Sequence, residues 1–202
     1  MRRKLPIVGV FGQGTPIDAD HAQLAKDVGA LLARLGTHLL TGGGYGVMEA
    51  TAAAFVAVSD RAGLSIGVVP RDPDGPFDLP DQLNGQRYPN PHVEITIMTP
   101  LRSFTDDWRR TPARNHVNVL SADAIIALPG NKGTRNELDM AAEYCGEAAR
   151  PRQERRTVLY GPADRFTTRH RELFVHAEKL GDVEAHLRRV LAARGLAPGL
   201  PI

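Results

Sequence analysis

The sequence predicts an α/β fold in which helices cover both faces of a doubly wound parallel sheet. Short apolar runs such as Ile7–Phe11 and Ala124–Leu128 alternate with segments whose apolar residues recur at helical spacing. Apolar runs without polar alternation are typical of parallel strands, because these strands are buried on both faces. Glycine-rich turns follow several of the runs, as expected where strands lead into helices.

Each element follows from a local pattern. The first helix is predicted to begin at Asp20 as its N-cap, with Gln23 completing a capping box, and to end at Gly36. Thr111 and Pro112 predict another helix start, with proline at the first helical position. Apolar runs predict strands at 7–11, 37–40, 64–69, 93–98, 124–128 and 157–160. Helical periods predict helices at 20–35, 47–61, 112–121, 134–145, 170–180 and 182–194.

Composition bounds the class of protein. The 202 residues suffice for one core, and we expect a single domain over 1–202 with irregular loops at 71–92 and 99–111. A net charge of +2 gives no case for a nucleic acid partner. No apolar run reaches membrane-spanning length. The single cysteine, Cys145, fits a reducing compartment, so we expect a cytoplasmic protein without a membrane partner.

Three glycine-bearing loops are predicted to meet at one edge of the sheet. They are 12–15, 42–46 and 130–134, and each follows a predicted strand. Ligands of open parallel sheets bind at the carboxyl ends of the strands. Arg114 lies in the first turn of a helix entered from the same edge. The sequence therefore predicts a shared anion-binding crevice there.

The segment Pro129–Glu137 carries the strongest chemical signal. Thr134 is predicted to be the N-cap of the helix that follows, so free amides and the positive end of the helix dipole would face an anion. Glu137 has two interpretations. It could complete a capping box with Thr134, or it could be a catalytic carboxylate, and spacing alone favours the cap.

Several function classes are excluded by missing motifs. Ile17 stands where a dinucleotide fingerprint needs its third glycine, and no P-loop or serine-hydrolase elbow is present. The histidines lack metal-ligand spacing, so we expect no metal. Cys145 is interpreted as a core residue rather than a nucleophile. A site for one phosphate group remains, with a nucleoside monophosphate as its predicted ligand.

Two motifs resemble the LOG family. They read Thr-Gly-Gly-Gly-Tyr-Gly-Val-Met-Glu-Ala over 41–50 and Pro-Gly-Asn-Lys-Gly-Thr-Arg-Asn-Glu over 129–137. The form Ala113-Arg114-Asn115 is similar to the branch that contains molybdenum-cofactor carrier proteins. The resemblance implies a Rossmann-like fold that binds a nucleoside monophosphate, and we expect no cofactor. It also implies a homodimer, with contacts on the alanine-rich helix after Gly46 and on the helix that carries Arg114.

The resemblance assigns roles by position. Arg114 and Glu137 match the family's catalytic arginine and glutamate, which implies hydrolysis of the N-glycosidic bond of a nucleoside 5′-monophosphate. The implied substrate-binding residues are Gly12, Gly14, Thr15, Gly43, Gly44, Gly46, Met48, Glu49, Pro129, Gly130, Lys132, Gly133 and Thr134.

One departure from the family pattern leaves a second function open. Asn131 replaces a glycine in the second motif, and Lys132 beside it could compensate electrostatically or indicate a different ligand. The alternative to the phosphoribohydrolase is a binding protein without turnover, which carries a nucleotide or a pterin phosphate such as molybdenum cofactor.

Overall fold

A computed structural model describes residues 4–70, 82–83, 86–144 and 146–196. The strands are β1 Ile7–Phe11, β2 His38–Thr41, β3 Ser65–Pro70, β4 Gln82–Leu83, β5 Gln86–Arg87, β6 Ile95–Thr99, β7 Ala124–Ala127, β8 Thr157–Tyr160 and β9 Val175–Ala177. The helices are α1 Ala19–Arg34, α2 Val47–Val56, α3 Arg114–Ser121, α4 Lys132–Tyr144, α5 Thr168–Leu173 and α6 Leu180–Ala193.

Seven strands form one sheet in the order β6-β3-β2-β1-β7-β8-β9, and every neighbouring pair is parallel. The chain starts at the centre and builds outward to β6, then returns to the other side of β1 and builds outward to β9. Strands β1 and β7 are therefore paired at the switch point, in register from Val8 with Ala124 to Phe11 with Ala127. In such sheets the switch point opens a crevice at the carboxyl ends of the strands.

Helices on both faces of the sheet enclose two apolar cores. One core packs α1, α2 and α6 against the sheet around Phe55, Leu32 and Ile126. The other packs α3, α4 and Trp108 against it around Phe11, Ile125 and Leu138. The predicted doubly wound, Rossmann-like domain is confirmed. Among the described helices, none has the length and apolar character needed to cross a membrane.

The seventh strand was not predicted. Residues 170–180 were expected to form one helix, but α5 ends at Leu173 and β9 follows, with Val175 paired to Val158 of β8. Leu173, Phe174 and Ala177 fit a helical period as well as an extended segment. Pairing with β8 decides between them, because it satisfies backbone groups that a local pattern does not report.

Predicted boundaries of α1, α2 and α3 were also wrong. The N-cap of α1 is Asp18, whose carboxylate accepts from the His21 amide, and not Asp20. Helix α3 begins at Arg114, after Thr111-Pro112, because the Ala113 amide donates to Nδ1 of His116.

Helix α2 ends at Val56 instead of 61. The chain must turn there to enter β3, and Gly63 passes so close to the Thr37 carbonyl that an added Cβ would overlap it.

Two regions remain open to further contacts. Strand β6 forms one edge of the sheet, and its Ile95, Ile97 and Met98 are each about 40% exposed. Leu120 on α3 is 57% exposed. The homodimer with contacts on α2 and α3 stays a prediction. Cys145 and most of the predicted loop 71–92 lie outside the described residues, apart from the short β4–β5 pair and residues 88–92.

Close packing of α1 on α2 depends on Gly29. An added Cβ there would overlap the backbone oxygen of Thr51, whereas Gly181 in α6 has open space around it. We expect Gly29→Ala to lower the free energy of unfolding by about 1–3 kcal/mol, because the helices must move apart. The matched control Gly181→Ala should be neutral or raise it by up to about 1 kcal/mol. Urea unfolding of both variants is the measurement, and equal effects would contradict this account.

Candidate functional site

The three predicted glycine loops meet at the carboxyl ends of β1, β2 and β7. The Gln13 amide donates to the Pro129 carbonyl at 3.2 Å, which joins the loop after β1 to the loop after β7. The Gln13 carbonyl accepts from the Val47 amide at 2.9 Å, which joins the same loop to the start of α2. Gly46 allows this approach, because it has a φ of 75° and an added Cβ would press on Gly14. The three loops thus form one surface.

A crevice of about 230 Å³ opens on this surface. Seven of the predicted site residues line it: Gly12, Gly14, Met48, Arg114, Gly133, Thr134 and Glu137. The rest of the lining is Val10, Phe11, Gly42, Ser103, Phe104, Asn115 and Asn131. Typical ligand pockets occupy about 300–1,000 Å³. The crevice therefore has room for a sugar phosphate, and a larger ligand must extend beyond it.

Glu137 is a buried carboxyl group on α4, only 7% exposed. Burial raises its pKa from the ordinary 4.5 to about 7, against the opposing effects of the Arg114 charge and of a hydrogen bond from Asn118. The Asn118 side-chain amide donates to Oε1 of Glu137 at 3.2 Å. This side chain is thus held by α3 and not by a cap of its own helix. Both its protonated and its ionised forms are populated near neutral pH.

Arg114 is the first residue of α3 and is nearly as buried as Glu137, at 9% exposed. Its amide donates to the Arg102 carbonyl at 2.8 Å, and its Nη2 donates to the Ser103 hydroxyl at 3.2 Å. The guanidinium lies directly against Gly42, where an added Cβ would overlap it. Its Nε is buried without a partner among the described residues. Arg114 is therefore held at the crevice with donor capacity unused.

The start of α4 differs from the predicted cap. The helix begins at Lys132, and Asn131 acts as its N-cap, with Oδ1 accepting from the Gly133 amide at 3.3 Å. Thr134 lies inside the first turn, so the Thr134–Glu137 capping box was wrong. The Thr134 hydroxyl is packed against Gly130 and is buried without a partner among the described residues.

The other predicted binding residues lie around the crevice instead of lining it. Gly43 and Gly44 belong to a loop that is fixed from outside. The backbone amide of the buried Asn90 donates to the Gly43 carbonyl at 2.8 Å, and its side-chain Nδ2 donates to the Gly44 carbonyl at 2.7 Å. Lys132 points to another partner, Asp106, at 2.6 Å. The remaining members of this group are Thr15, Gly46, Glu49, Pro129 and Gly130. Their roles in binding stay predictions.

Sequence reasoning missed the residues that support the predicted ones. Asn118 holds Glu137, Ser103 holds Arg114, and the Tyr88 hydroxyl donates to the Gly42 carbonyl at 3.0 Å. Phe104 and Asn115 line the crevice directly. Asn115 and Asn118 carried one available signal, because both are polar residues on the same predicted helix as Arg114. In the part of the chain that the structure describes, no cluster of three His, Cys, Asp or Glu side chains could hold a metal ion.

Fold and crevice together define the class, a Rossmann-like α/β protein with a small-ligand crevice at the switch point of its sheet. The chain belongs to the SLOG cluster4 family, whose model matches residues 5–148. This result confirms the LOG-like resemblance seen in the two glycine motifs.

Known proteins support the same placement. The molybdenum cofactor carrier protein of Chlamydomonas reinhardtii is 26% identical, with a TM-score of 0.65 over 94% of this chain and 99% of that one. The molybdenum cofactor binding protein of Rippkaea orientalis is 24% identical, with a TM-score of 0.63 over 95% and 98%, and its likeness concerns the fold. An uncharacterized protein of Archaeoglobus fulgidus is 33% identical over 138 residues, 68% of this chain and 74% of its own length.

Gly42→Ala tests how Arg114 is positioned. The added methyl group should displace the guanidinium and leave the fold intact, because a side-chain end moves more easily than backbone. Since the Arg114 charge lowers the pKa of Glu137, that pKa should rise in the variant. A carbon-detected NMR titration of the Glu137 carboxyl measures it. Gly14→Ala, which adds a methyl group in open space within the same crevice, is the control. An unchanged titration in Gly42→Ala would refute the contact.

The pKa of Glu137 also predicts how stability depends on pH. Because the folded pKa is about 7 and the ordinary value is 4.5, the folded protein binds more protons than the unfolded chain between these values. Stability conferred by the neutral form is present below pH 4.5 and is lost as pH rises through 7. Glu137→Gln stays neutral, so it should match wild type near pH 4 and exceed it above pH 7.5 by on the order of 1–3 kcal/mol.

Thermal and urea unfolding across this pH range provide the measurement. Glu172→Gln, at an exposed position on α5, is the control for removal of a surface carboxyl. A constant difference between Glu137→Gln and wild type at every pH would mean that the Glu137 carboxyl is not shifted by burial.

Proposed function

We propose that the crevice binds a nucleoside 5′-monophosphate and hydrolyses its N-glycosidic bond to free base and ribose 5-phosphate. The observation that carries this proposal is the buried Glu137 carboxyl, with a pKa of about 7, in a crevice that it shares with Arg114. A carboxyl group with this pKa can exchange a proton at neutral pH, as general acid–base catalysis requires. Membership of the SLOG cluster4 family supports the choice of a nucleotide-type ligand.

The 5′-phosphate is assigned to the first turn of α4. Amide groups at a helix start have no carbonyl partner within the helix, and the helix dipole favours an anion there. Gly133 and Thr134 line the crevice at this point, and the Thr134 hydroxyl has no partner among the described residues. Asn131 already occupies the Gly133 amide through a long bond of 3.3 Å. The phosphate oxygen would take over that amide as the Asn131 side chain turns away.

The chemistry follows from the two charged groups. The Glu137 carboxylate accepts a proton from water as the water oxygen bonds to C1′ of the ribose. The C1′–N bond breaks, its electron pair leaves with the base, and the base nitrogen takes the proton from Glu137. The carboxylate is thereby regenerated, and it also stabilises the positive charge that develops on the sugar ring. Arg114 orients the substrate and keeps enough of Glu137 ionised.

A second candidate function has its own support. The structure of the molybdenum cofactor carrier protein of Chlamydomonas reinhardtii matches 94% of the length of this chain. A carrier would bind a nucleotide or a pterin phosphate at the same helix start without breaking a bond. The form Ala113-Arg114-Asn115, which is similar to that of the carrier branch, also favours this alternative. Asn131 competes for the Gly133 amide in either function.

Glu137→Gln separates the two functions. If the carboxyl is catalytic, the variant should still bind nucleoside monophosphates, while hydrolysis falls by about 10²-fold or more. Incubation with a panel of nucleoside 5′-monophosphates, with detection of free base and ribose 5-phosphate, measures turnover. Calorimetry measures binding.

Arg114→Ala is the companion variant. Removal of its charge should slow turnover and move the pH–rate inflection of Glu137 to higher pH, which loss of fold would not do. If wild type binds monophosphates but hydrolyses none of them, the enzyme proposal is wrong and the carrier proposal takes its place.

A further inference from the structure

A second and larger cavity lies on the other side of α4. Its volume is about 680 Å³, against about 230 Å³ for the crevice. The two cavities use opposite faces of the helix start: Gly133, Thr134 and Glu137 line the crevice, whereas Lys132, Arg135, Asn136 and Asp139 line the second cavity. This division follows the helical period. Phe104 lines both cavities, so they adjoin at the start of α4.

The second cavity has one more cation than it has carboxylates. Lys132 pairs with Asp106 at 2.6 Å, and Arg169 lies 3.6 Å from Asp139. His170, which is buried, shares Asp139 at 3.1 Å. Arg135 is exposed at the cavity and has no ion-pair partner among the residues that the structure describes. Both carboxylates are thus matched, and the guanidinium of Arg135 stays available to an anion.

Asn136 gives an independent indication of a ligand. Its side chain is only 7% exposed, yet Oδ1 has no hydrogen-bond partner among the described residues. Its amide group makes one long bond of 3.4 Å to the Thr105 carbonyl. Buried polar atoms are nearly always paired, so an unpaired one at a cavity wall marks a place for a ligand donor such as a hydroxyl group.

We propose that the second cavity is a subsite for a second phosphate group, attached to the phosphate at the start of α4. This proposal rests on the proposed function, because it takes the first phosphate to lie at Gly133 and Thr134. The crevice is too small for a whole nucleotide and its extension, and the cavity adjoins its phosphate end. Arg135 binds the second phosphate, and Asn136 accepts from a hydroxyl group beyond it. The substrate class is therefore nucleotides whose 5′-phosphate carries a further phosphate.

Calorimetric titration of the full chain in magnesium-free buffer tests the subsite, with AMP, ADP and inorganic pyrophosphate as probes. Every chain titrated carries Glu137→Gln, so that binding is measured with little hydrolysis. The Glu137→Gln chain with no other change should bind ADP about tenfold more tightly than AMP, the size expected of one charge-assisted contact. Arg135→Ala should remove that gain and leave AMP affinity within about twofold. Arg188→Ala, which removes the same charge from α6 on the opposite face of the sheet, should leave the gain intact.

The possible outcomes distinguish the subsite from the proposed function. If AMP binds but ADP binds no more tightly, or if Arg135→Ala weakens both equally, the subsite is wrong and monophosphate binding stands. If AMP does not bind, the comparison is made with the mono- and diphosphate of whichever nucleoside of the panel does bind. If no nucleoside monophosphate binds, the proposed function fails, and pyrophosphate decides: binding that Arg135→Ala abolishes supports the subsite, and any other result overturns it. If inorganic phosphate binds through Arg135 in the presence of saturating AMP, the second cavity is a site for a separate anion. That result would overturn the proposal that the second phosphate is attached to the first.

Discussion

Removal of the Glu137 carboxyl from water is the constraint on which the rest of this site depends. A buried carboxylate is unfavourable unless charge and hydrogen bonds replace its hydration. Helix α3 supplies both, through the Asn118 amide at 3.2 Å and the Arg114 charge. Arg114 reaches this place only because Gly42 has no side chain. The position of Arg114 beside this buried group thus explains why the loop after β2 needs glycine at this position.

The topology of the sheet makes these distant residues neighbours. Strands β1 and β7 pair at the centre although most of the chain's first half lies between them. Their two loops are then joined by a hydrogen bond between Gln13 and Pro129. The loop after β2 is held by Asn90, which donates to the carbonyls of Gly43 and Gly44. Glycine turns that hydrogen bonds already hold in place lower the entropy cost of binding, because less of the site has to become ordered.

The sequence predicted the strands and turns whose structure depends on neighbouring residues in the chain. Thr157–Tyr160 has only one plausible structure, and β8 has those bounds. The glycine turns and Arg114 could be placed at one edge because parallel strands end there. Strand β9 could not be predicted from its own residues, because its extended structure depends on hydrogen bonds to β8. Asn118 was missed for a similar reason, since its importance arises only when α3 packs on α4. The N-cap of α4 is Asn131 and not the predicted Thr134, because asparagine is itself a strong N-cap residue and comes earlier in the chain.

The two functions proposed for this crevice make different demands on Glu137, because only the enzyme needs its carboxyl group to exchange a proton. In its neutral form the carboxyl group can donate a hydrogen bond to a bound ligand, or its proton to a leaving base. In its ionised form it can take a proton from water and stabilise positive charge on a sugar. A pKa of about 7 leaves both forms populated in neutral solution. A change in the distance between Glu137 and Arg114 would therefore change the ionised fraction of the carboxyl group, and with it the rate of the proposed hydrolysis, without altering the sheet or its loops.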